Sequence, residues 1–546
     1  MATRIGRTEA NPATGTGRGT PSLAEPRYLA PDQPLLEGED LDAVARGILG
    51  RHPAVGLAVG IVRDGELAGF SGHGFADISS RTPITEDTVF RIASITKTFT
   101  AIALMQLWER GLVDLDAPAD DYLRAYELVP AKARFRPATV RHLLTHTAGI
   151  REVLHPSGLL RMRDLGETVK RGRAVPTLAE YYRGGLRIDA EPGTRFMYTD
   201  HGFATLGQIV EDVTGMSLAA YMHENIFEAL GMTRTDLVRT EAIASRLESG
   251  YELRSGGPEP IPDYELITVG GGGVYSTPSD MARYLAALAG GGANDHGSVL
   301  APETLATMFE PQYQPDPRIP GIGLSFFRAD LGGHPAVEHD GILPGFDSQI
   351  VVAPDDGVAV MAFANGAKSG MHWLTPEASG LLRRLLGVPD EVIRTDVPQH
   401  LEIWNELCGW YRFSAHPSDP ARLALGPGAE VVVRRGRLTM RAFSPIPALY
   451  RGFVLHPDDG QDPYVFRIAA PWFGTGRVVF SREVGRRTTA FHLDFAPMSF
   501  HKRPEIENPR RWAIGVLGAA AVAAGASVAR RRFTRTTVMS GGVDDV

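Results

Sequence analysis

The stretch from Phe90 to Trp108, FRIASITKTFTAIALMQLW, constrains this chain more than any other, because it sets a lysine inside an apolar helical run. A helix that is hydrophobic on nearly every side is buried, so Lys97 enters the core with it. Of 56 basic residues only five are lysine: Lys97, Lys132, Lys170, Lys368 and Lys502. A chain that writes arginine almost everywhere has placed here the cation that can lose its proton when desolvated. Ser94 stands three residues earlier, and positions i and i+3 share a helix face. The unpaired N–H groups and positive dipole end of a first helical turn favour an anionic nucleophile and an oxyanion. The pair therefore suits acyl transfer. The same four residues also fit a capping serine and a lysine snorkelling from a buried helix. A second S-x-x-K match, Ser499 to Lys502, lies in a strand-like run just before Pro504 and offers no helix start.

At 546 residues the chain expects two or three domains. Its formal net charge of −8 has the wrong sign for neutralising phosphates, which excludes nucleic acid as a partner. A single cysteine, Cys408, excludes an internal disulfide framework and cysteine-based metal clusters. Set beside a glycine and two aromatics, it reads as a buried, inert thiol. The first 35 residues, rich in Gly, Thr, Pro and Arg, contain no apolar run of the length an export signal needs.

After an arm at 1–38, expected to be disordered, Leu41 to Leu49 has a short helical pattern. VGLAVGIVRDGELAGFSGHG then reads as a hairpin turning at Asp64-Gly65. From Asp114 to about Thr268 the pattern is mainly helical. Within it Thr139 to Gly149 is a capped short helix whose His146 reads as a histidine holding a turn, and Asp200 falls where the N-cap of the next helix belongs. Gly270 to Gly273 lacks the lysine of a phosphate-cradling loop and predicts a turn or a close backbone approach. A strand is expected at Gly321 to Phe327, and His339 to Gly345 reads as a loop or strand edge. SQIVVAPDDGVAVMAFANG is a second hairpin, turning at Asp356-Gly357, and a helix follows from Pro376 to Leu386. Hairpin, helices, hairpin, helix packs most simply as an α+β, three-layer domain over 39–395: an antiparallel sheet built from both chain ends, helices on its faces and a mainly helical insert. From about Asp396 short alternating strands predict a separate all-β, barrel-like domain over 396–505. Residues 512–529, WAIGVLGAAAVAAGASVA, carry no charge and are just long enough to span a bilayer. They predict a tail anchor and a membrane-associated protein. Four basic residues flank each side, so the side of the membrane stays undetermined; 530–546 is a basic, then disordered, tail.

Five segments agree in order and context with a known family: FRIASITKTFTAIALMQLWERGLVDLDAP, LLTHTAGI, FMYTDHGFATLGQIVEDVTG, GGGVYSTPSDMARYL and HDGILPGFDSQIVVAPD. Residues 40 to 390 resemble the serine β-lactamase-related hydrolases, which include class C β-lactamases, D-alanyl-D-alanine carboxypeptidases, D-aminopeptidases and esterases. The resemblance implies that Ser94 is the nucleophile and Lys97 a neutral amine or proton shuttle. It makes Tyr198 the tyrosine that exchanges a proton with the serine or leaving group, and His339 and Gly341 the third motif. The backbone N–H groups of Ser94 and Ile342 would form the oxyanion hole. Where the family usually has Tyr-x-Asn this chain has Tyr198-Thr199-Asp200. A carboxylate accepts where an amide both donates and accepts, and facing the site it would hold Lys97 charged, making Tyr198 the better base; as a helix cap it would do neither. The C-terminal β region resembles the lipocalin-like appendages of some family members.

The resulting expectation is a serine hydrolase acting through an acyl-serine on a small ester or peptide-like amide, with no metal and no cofactor. Ester hydrolysis is preferred because Asp200 departs from the family pattern. The alternatives are a D-alanyl-D-alanine carboxypeptidase, D-aminopeptidase or β-lactamase and, in another class, a penicillin-binding-like receptor that is acylated without turnover.

Overall fold

The computed structural model describes residues 40–152, 167–367, 372–413, 426–458, 460–470, 474–482 and 488–512. Its first layer is a seven-stranded antiparallel sheet. The strand order is Phe327–Asp330, Pro335–Leu343, Phe346–Ala353, Val358–Asn365, Gly56–Arg63, Glu66–Asp77 and Thr82–Pro83. Strands from the two ends of the domain therefore meet at its centre, where Val59 pairs with Ala362. Both hairpins turn where the sequence places them. Asp64 and Gly65 take φ values of 53° and 81°, as a two-residue turn of positive φ requires, and Gly357 closes the second at φ 65°.

The central strand Val358–Asn365 is buried on both faces. Val358, Val360, Ala362 and Ala364 pack with the helices Leu41–Arg51 and Leu374–Leu385. Ala359, Met361 and Phe363 face the larger core of the helices Thr96–Glu109, Asp200–Thr214 and Pro278–Ala289. This is the three-layer arrangement that the order of elements predicts, with the two apolar faces of one strand each requiring its own helical cover. Every residue from Thr96 to Leu107 is buried, so the lysine-bearing helix is a core element.

Two local expectations change. Regular strand begins only at Phe327, because Gly321 and Ser325 both take positive φ (76°) and break the extended run before it. His339 to Leu343 lies inside the strand Pro335–Leu343, second from the sheet edge, where the polar side chains of the HDG segment masked the alternation.

The C-terminal region forms a nine-stranded antiparallel sheet that nearly closes into a barrel. Its terminal strands in the pairing order, Phe453–Val454 and His456–Pro457, are consecutive in the chain and separated by Leu455 alone. The interior is aromatic: Phe491 stacks on Phe500 at 4.6 Å and meets Tyr411 at 5.1 Å. Ser499 to Lys502 is strand here, as its alternation indicates. Cys408 is half-buried, and burial raises its thiol pKa, as expected for an inert thiol.

The membrane anchor expected at 512–529 is corrected. Among the described residues no helix is long and apolar enough to cross a membrane. The eighteen-residue stretch includes eight alanines and three glycines, which offer a bilayer little apolar surface. Beyond Trp512 it lies outside the described residues. Membrane association and a tail-anchored location are withdrawn with it. The expected arm at 1–38 and tail at 530–546 also lie outside the described residues.

A polar relay fastens the barrel to the segment that leads into the strand Phe327–Asp330. Arg318 donates to Asp316 and, at 2.8 Å, to Asp462. Ser481 donates to Asp316 Oδ2 at 2.6 Å, which leaves its oxygen to accept from His492 Nε2 at 2.8 Å. Nδ1 of His492 therefore accepts from Ser499 Oγ, also at 2.8 Å. Burial pushes the His492 pKa from 6.5 down to about 4, so the relay needs the neutral ring. A depressed histidine pKa contributes stability that is complete above the unfolded value and is lost as pH falls through the folded one. The window is pH 6.5 to 4, and the loss is up to about 3 kcal/mol. We expect the melting temperature of the wild type to fall across this window more steeply than that of His492→Gln. Parallel curves from scanning fluorimetry at stepped pH would show that His492 is not the titrating group.

Candidate active site

Ser94 sits on a short 3-10 turn, Ala93–Ile95, that runs directly into the helix Thr96–Glu109. Ala93 takes φ 49°, a left-handed conformation costly for a residue with a Cβ, so the turn must be held from outside. Ser348 Oγ donates to the carbonyl of Ile92 at 2.8 Å, and Thr96 Oγ1 accepts from the N–H of Val274 at 3.0 Å. Gly341 touches the turn from the neighbouring strand. A Cβ there would lie 2.5 Å from the carbonyl oxygen of Ile92 and 2.9 Å from Cβ of Ala93. The strand Pro335–Leu343 can therefore approach the serine turn only through a glycine, and the approach brings Ile342, the next residue, to the same end of the sheet.

Lys97 is completely buried. An ammonium has three N–H donors, and this one uses all three: Ser94 Oγ at 2.9 Å, the Gly271 carbonyl at 2.7 Å, and the Asp200 carboxylate. Burial alone would lower its pKa. The Asp200 carboxylate, followed by Tyr198, more than offsets that and raises it above the ordinary lysine value. Asp200 is free for this contact because Thr199, not Asp200, caps the helix Asp200–Thr214 by accepting from the N–H of His201. The glycine run supplies the third acceptor. It forms a single helical turn, Val269–Gly272, packed so closely that a Cβ on Gly270 would sit 2.8 Å from the carbonyl oxygen of Phe203.

The Tyr198 ring lies 4.9 Å from Nζ of Lys97 and stacks on His146 at 4.3 Å. Burial raises its phenol pKa, with the Lys97 charge acting in the opposite sense. His146 holds this segment in place: its carbonyl accepts from Met197 N–H at 2.7 Å and its Nδ1 from Thr199 N–H at 3.2 Å. Burial keeps the ring neutral. His339 is also buried. Its Nδ1 lies 2.6 Å from the carbonyl oxygen of Asp340 and its ring meets Phe327, with burial pushing its pKa down to about 4. Asp340 alternates to the opposite face and pairs with His372 at 2.6 Å.

Two residues near the lysine had no signal in the sequence. Glu152 accepts the backbone N–H of Asp200 at 2.8 Å, and Glu167 accepts from Thr268 Oγ1 at 2.6 Å. Carboxylate oxygens of Glu152, Glu167 and Asp200 lie within 4.8 Å of one another. Such a trio has the spacing of metal ligands, but the Lys97 ammonium already supplies a positive charge at Asp200. Burial, then Asp200 and Glu167, push the Glu152 carboxyl pKa well above the usual range.

A family model described as Beta-lactamase matches residues 41–377. Penicillin-binding protein 4 of Amycolatopsis lactamdurans is 27% identical over 348 residues, covering 62% of this chain and 86% of that protein. Esterase EstB of Burkholderia gladioli is 29% identical over 374 residues, covering 61% and 91%. Among solved structures, the octameric penicillin-binding protein homologue from Pyrococcus abyssi superposes with a TM-score of 0.55 at 24% identity, covering 85% of this chain and 99% of that one. This last likeness is one of fold, and it extends past the family match into the C-terminal sheet. With the family model matching more than half of its length, the chain belongs to the β-lactamase family.

Proposed function

We propose that the protein is a serine hydrolase that cleaves a small ester through an acyl-Ser94 intermediate. The observation that carries this reading is the saturated Lys97 ammonium with Ser94 Oγ as one of its three acceptors. A lysine so held keeps its proton, so the base is Tyr198. Ser94 Oγ attacks the carbonyl carbon as its proton passes to the phenolate form of Tyr198, a minor form that burial disfavours and the Lys97 ammonium stabilises. The backbone N–H groups of Ser94 and Ile342 receive the oxyanion. The leaving alcohol takes its proton from Tyr198, and water then releases the acid by the same route. His339 and Gly341 shape the wall beside Ile342. In this reading 39–395 is the hydrolase domain and 396–505 a lipocalin-like β domain.

Ester is preferred to peptide because the Asp200 carboxylate is engaged by Lys97 and offers no N–H to a substrate amide. The similarity to esterase EstB supports this choice. The similarity to penicillin-binding protein 4 favours a second reading, a D-peptidase, β-lactamase or non-turnover penicillin receptor.

We expect repeated turnover of p-nitrophenyl acetate or butyrate, reduced at least about 1,000-fold in Ser94→Ala, and fluorophosphonate labelling of Ser94 seen by intact mass. A single equivalent of penicillin label without ester turnover would establish the receptor instead, and release of hydrolysed penicillin the β-lactamase. Asp200→Asn removes the charge that raises the Lys97 pKa, so that pKa must fall. If charged Lys97 supports Tyr198, the alkaline limb of the kcat/KM profile moves to lower pH. Activity extending instead to more acidic pH would make neutral Lys97 the base.

A further inference from the structure

Arg151 and Glu152 meet the start of the helix Asp200–Thr214 at three successive residues. Thr199 Oγ1 donates to the Arg151 carbonyl at 3.4 Å while accepting from the N–H of His201. The Asp200 N–H donates to Glu152 Oε2 at 2.8 Å. His201 Nε2 lies 2.9 Å from the carbonyl oxygen of Glu152, and a carbonyl only accepts, so the histidine is the donor. The two residues are themselves anchored, since Ile150 bridges to Ile188 and Arg151 pairs with Asp189 at 2.6 Å. We propose that Glu152 is a positioning residue: by accepting the Asp200 N–H it decides which residue caps this helix, and so keeps the Asp200 carboxylate on Lys97. The role in catalysis rests on the hydrolase reading, whereas the effect on the charge of Lys97 stands without it.

Thr199 and Asp200 both carry side chains that cap helices well, so two registers compete for the helix start. With Thr199 as the cap, the Asp200 N–H belongs to the first turn, where the helix offers no acceptor. An N–H shielded from water and left without a partner costs about 1–3 kcal/mol. Glu152, buried at 8% exposure, supplies the acceptor from outside the helix. In the competing register Asp200 turns its carboxylate back onto the N–H groups of its own helix, and Lys97 loses that anion. Asp200 is the largest of the influences that raise the Lys97 pKa, ahead of Tyr198, and burial acts against both. Moving Asp200 away therefore lets the pKa fall.

Glu152 can serve in this way without adding a second anion beside Asp200. Burial, then Asp200 and Glu167, hold its carboxyl pKa well above the usual range, and a protonated carboxyl keeps an oxygen that accepts. The amide of glutamine offers the same acceptor, which makes Glu152→Gln the conservative replacement. Among the described residues, Asp200 and Tyr198 face Lys97, and its charge also reaches Glu152, His146 and His339. Both histidine rings are neutral, so the placement of Asp200 decides the charge of the lysine.

The chain has five lysines, so lysine labelled with 13C at Cε gives five resonances, that of Lys97 being the one lost in Lys97→Met. Between about pH 7 and 10.5 the wild-type Lys97 resonance is expected to stay at its charged position. Glu152→Leu fills the space but accepts nothing, and Glu152→Ala is the second variant. In both, Lys97 titrates inside this window, its ionisation constant raised at least about tenfold. Glu152→Gln keeps the wild-type behaviour, and Glu152→Leu adds nothing further to the shift in Asp200→Asn. A folded Leu or Ala variant whose Lys97 stays charged throughout, or a Gln variant that titrates as they do, overturns the proposal. Ester turnover supplies the catalytic arm. The Leu variant is expected to lose at least about tenfold in kcat, with its alkaline limb moved to lower pH as in Asp200→Asn and both effects reversed by Gln. Unchanged kcat in a variant whose Lys97 has shifted overturns the catalytic role and leaves the anchoring. Absence of turnover by the wild type overturns the hydrolase reading, while the Lys97 titration still decides the anchoring.

Discussion

An ammonium group in an apolar core is the constraint on which the rest of this site depends. Removing Lys97 from water costs several kcal/mol unless every N–H finds an acceptor and the charge finds a partner. The three acceptors come from three parts of the chain: the turn just before the helix, the first residue of the helix Asp200–Thr214, and a carbonyl of the glycine run. Each part is then fixed by the requirement it meets. Thr199 must cap the helix so that Asp200 can face inward, and the glycines must lack side chains so that a carbonyl can reach the lysine.

The cation also accounts for the acids around it. Glu152 and Glu167 are buried beside Asp200, and three carboxylates around one ammonium cannot all be ionised at low energetic cost. Burial first, and then the neighbouring Asp200 and Glu167 carboxylates, raise the Glu152 pKa, so that Glu152 is the member of the group that most readily holds a proton. The His146 and His339 rings are kept neutral first by burial, with the Lys97 charge adding in the same direction.

Much of this was legible in the sequence, for definite reasons. Asp64-Gly65 and Asp356-Gly357 are local turn signals that work without tertiary help, and both hairpins form there. The apolar Phe90–Trp108 run announces a buried helix whatever it packs against. Contacts made through space left weaker traces. Nothing in the pattern marks Glu152, whose partner is the N–H of a residue 48 positions away. The strand holding His339 was obscured because its polar residues face the candidate site on one side and a partly exposed His–Asp pair on the other. Asp200 read equally well as a cap, since Thr199 and Asp200 are both good capping residues and only packing decides between them. The tail anchor was read from an uncharged run whose length suited a bilayer but whose small side chains did not.

The clamp on the serine turn bears on how the protein is made. Ile92 is held by Ser348, 256 residues further along the chain, and the sheet that carries Ser348 is completed only when its C-terminal hairpin arrives. At ordinary rates of translation that interval is roughly 13 to 50 s. During it the Ser94 segment exists without the strand that shapes it, and the strained φ of Ala93 has nothing to enforce it. A ribosome-bound fragment therefore lacks the contacts that hold the Ser94 turn, which are assembled only after almost the whole first domain has been synthesised.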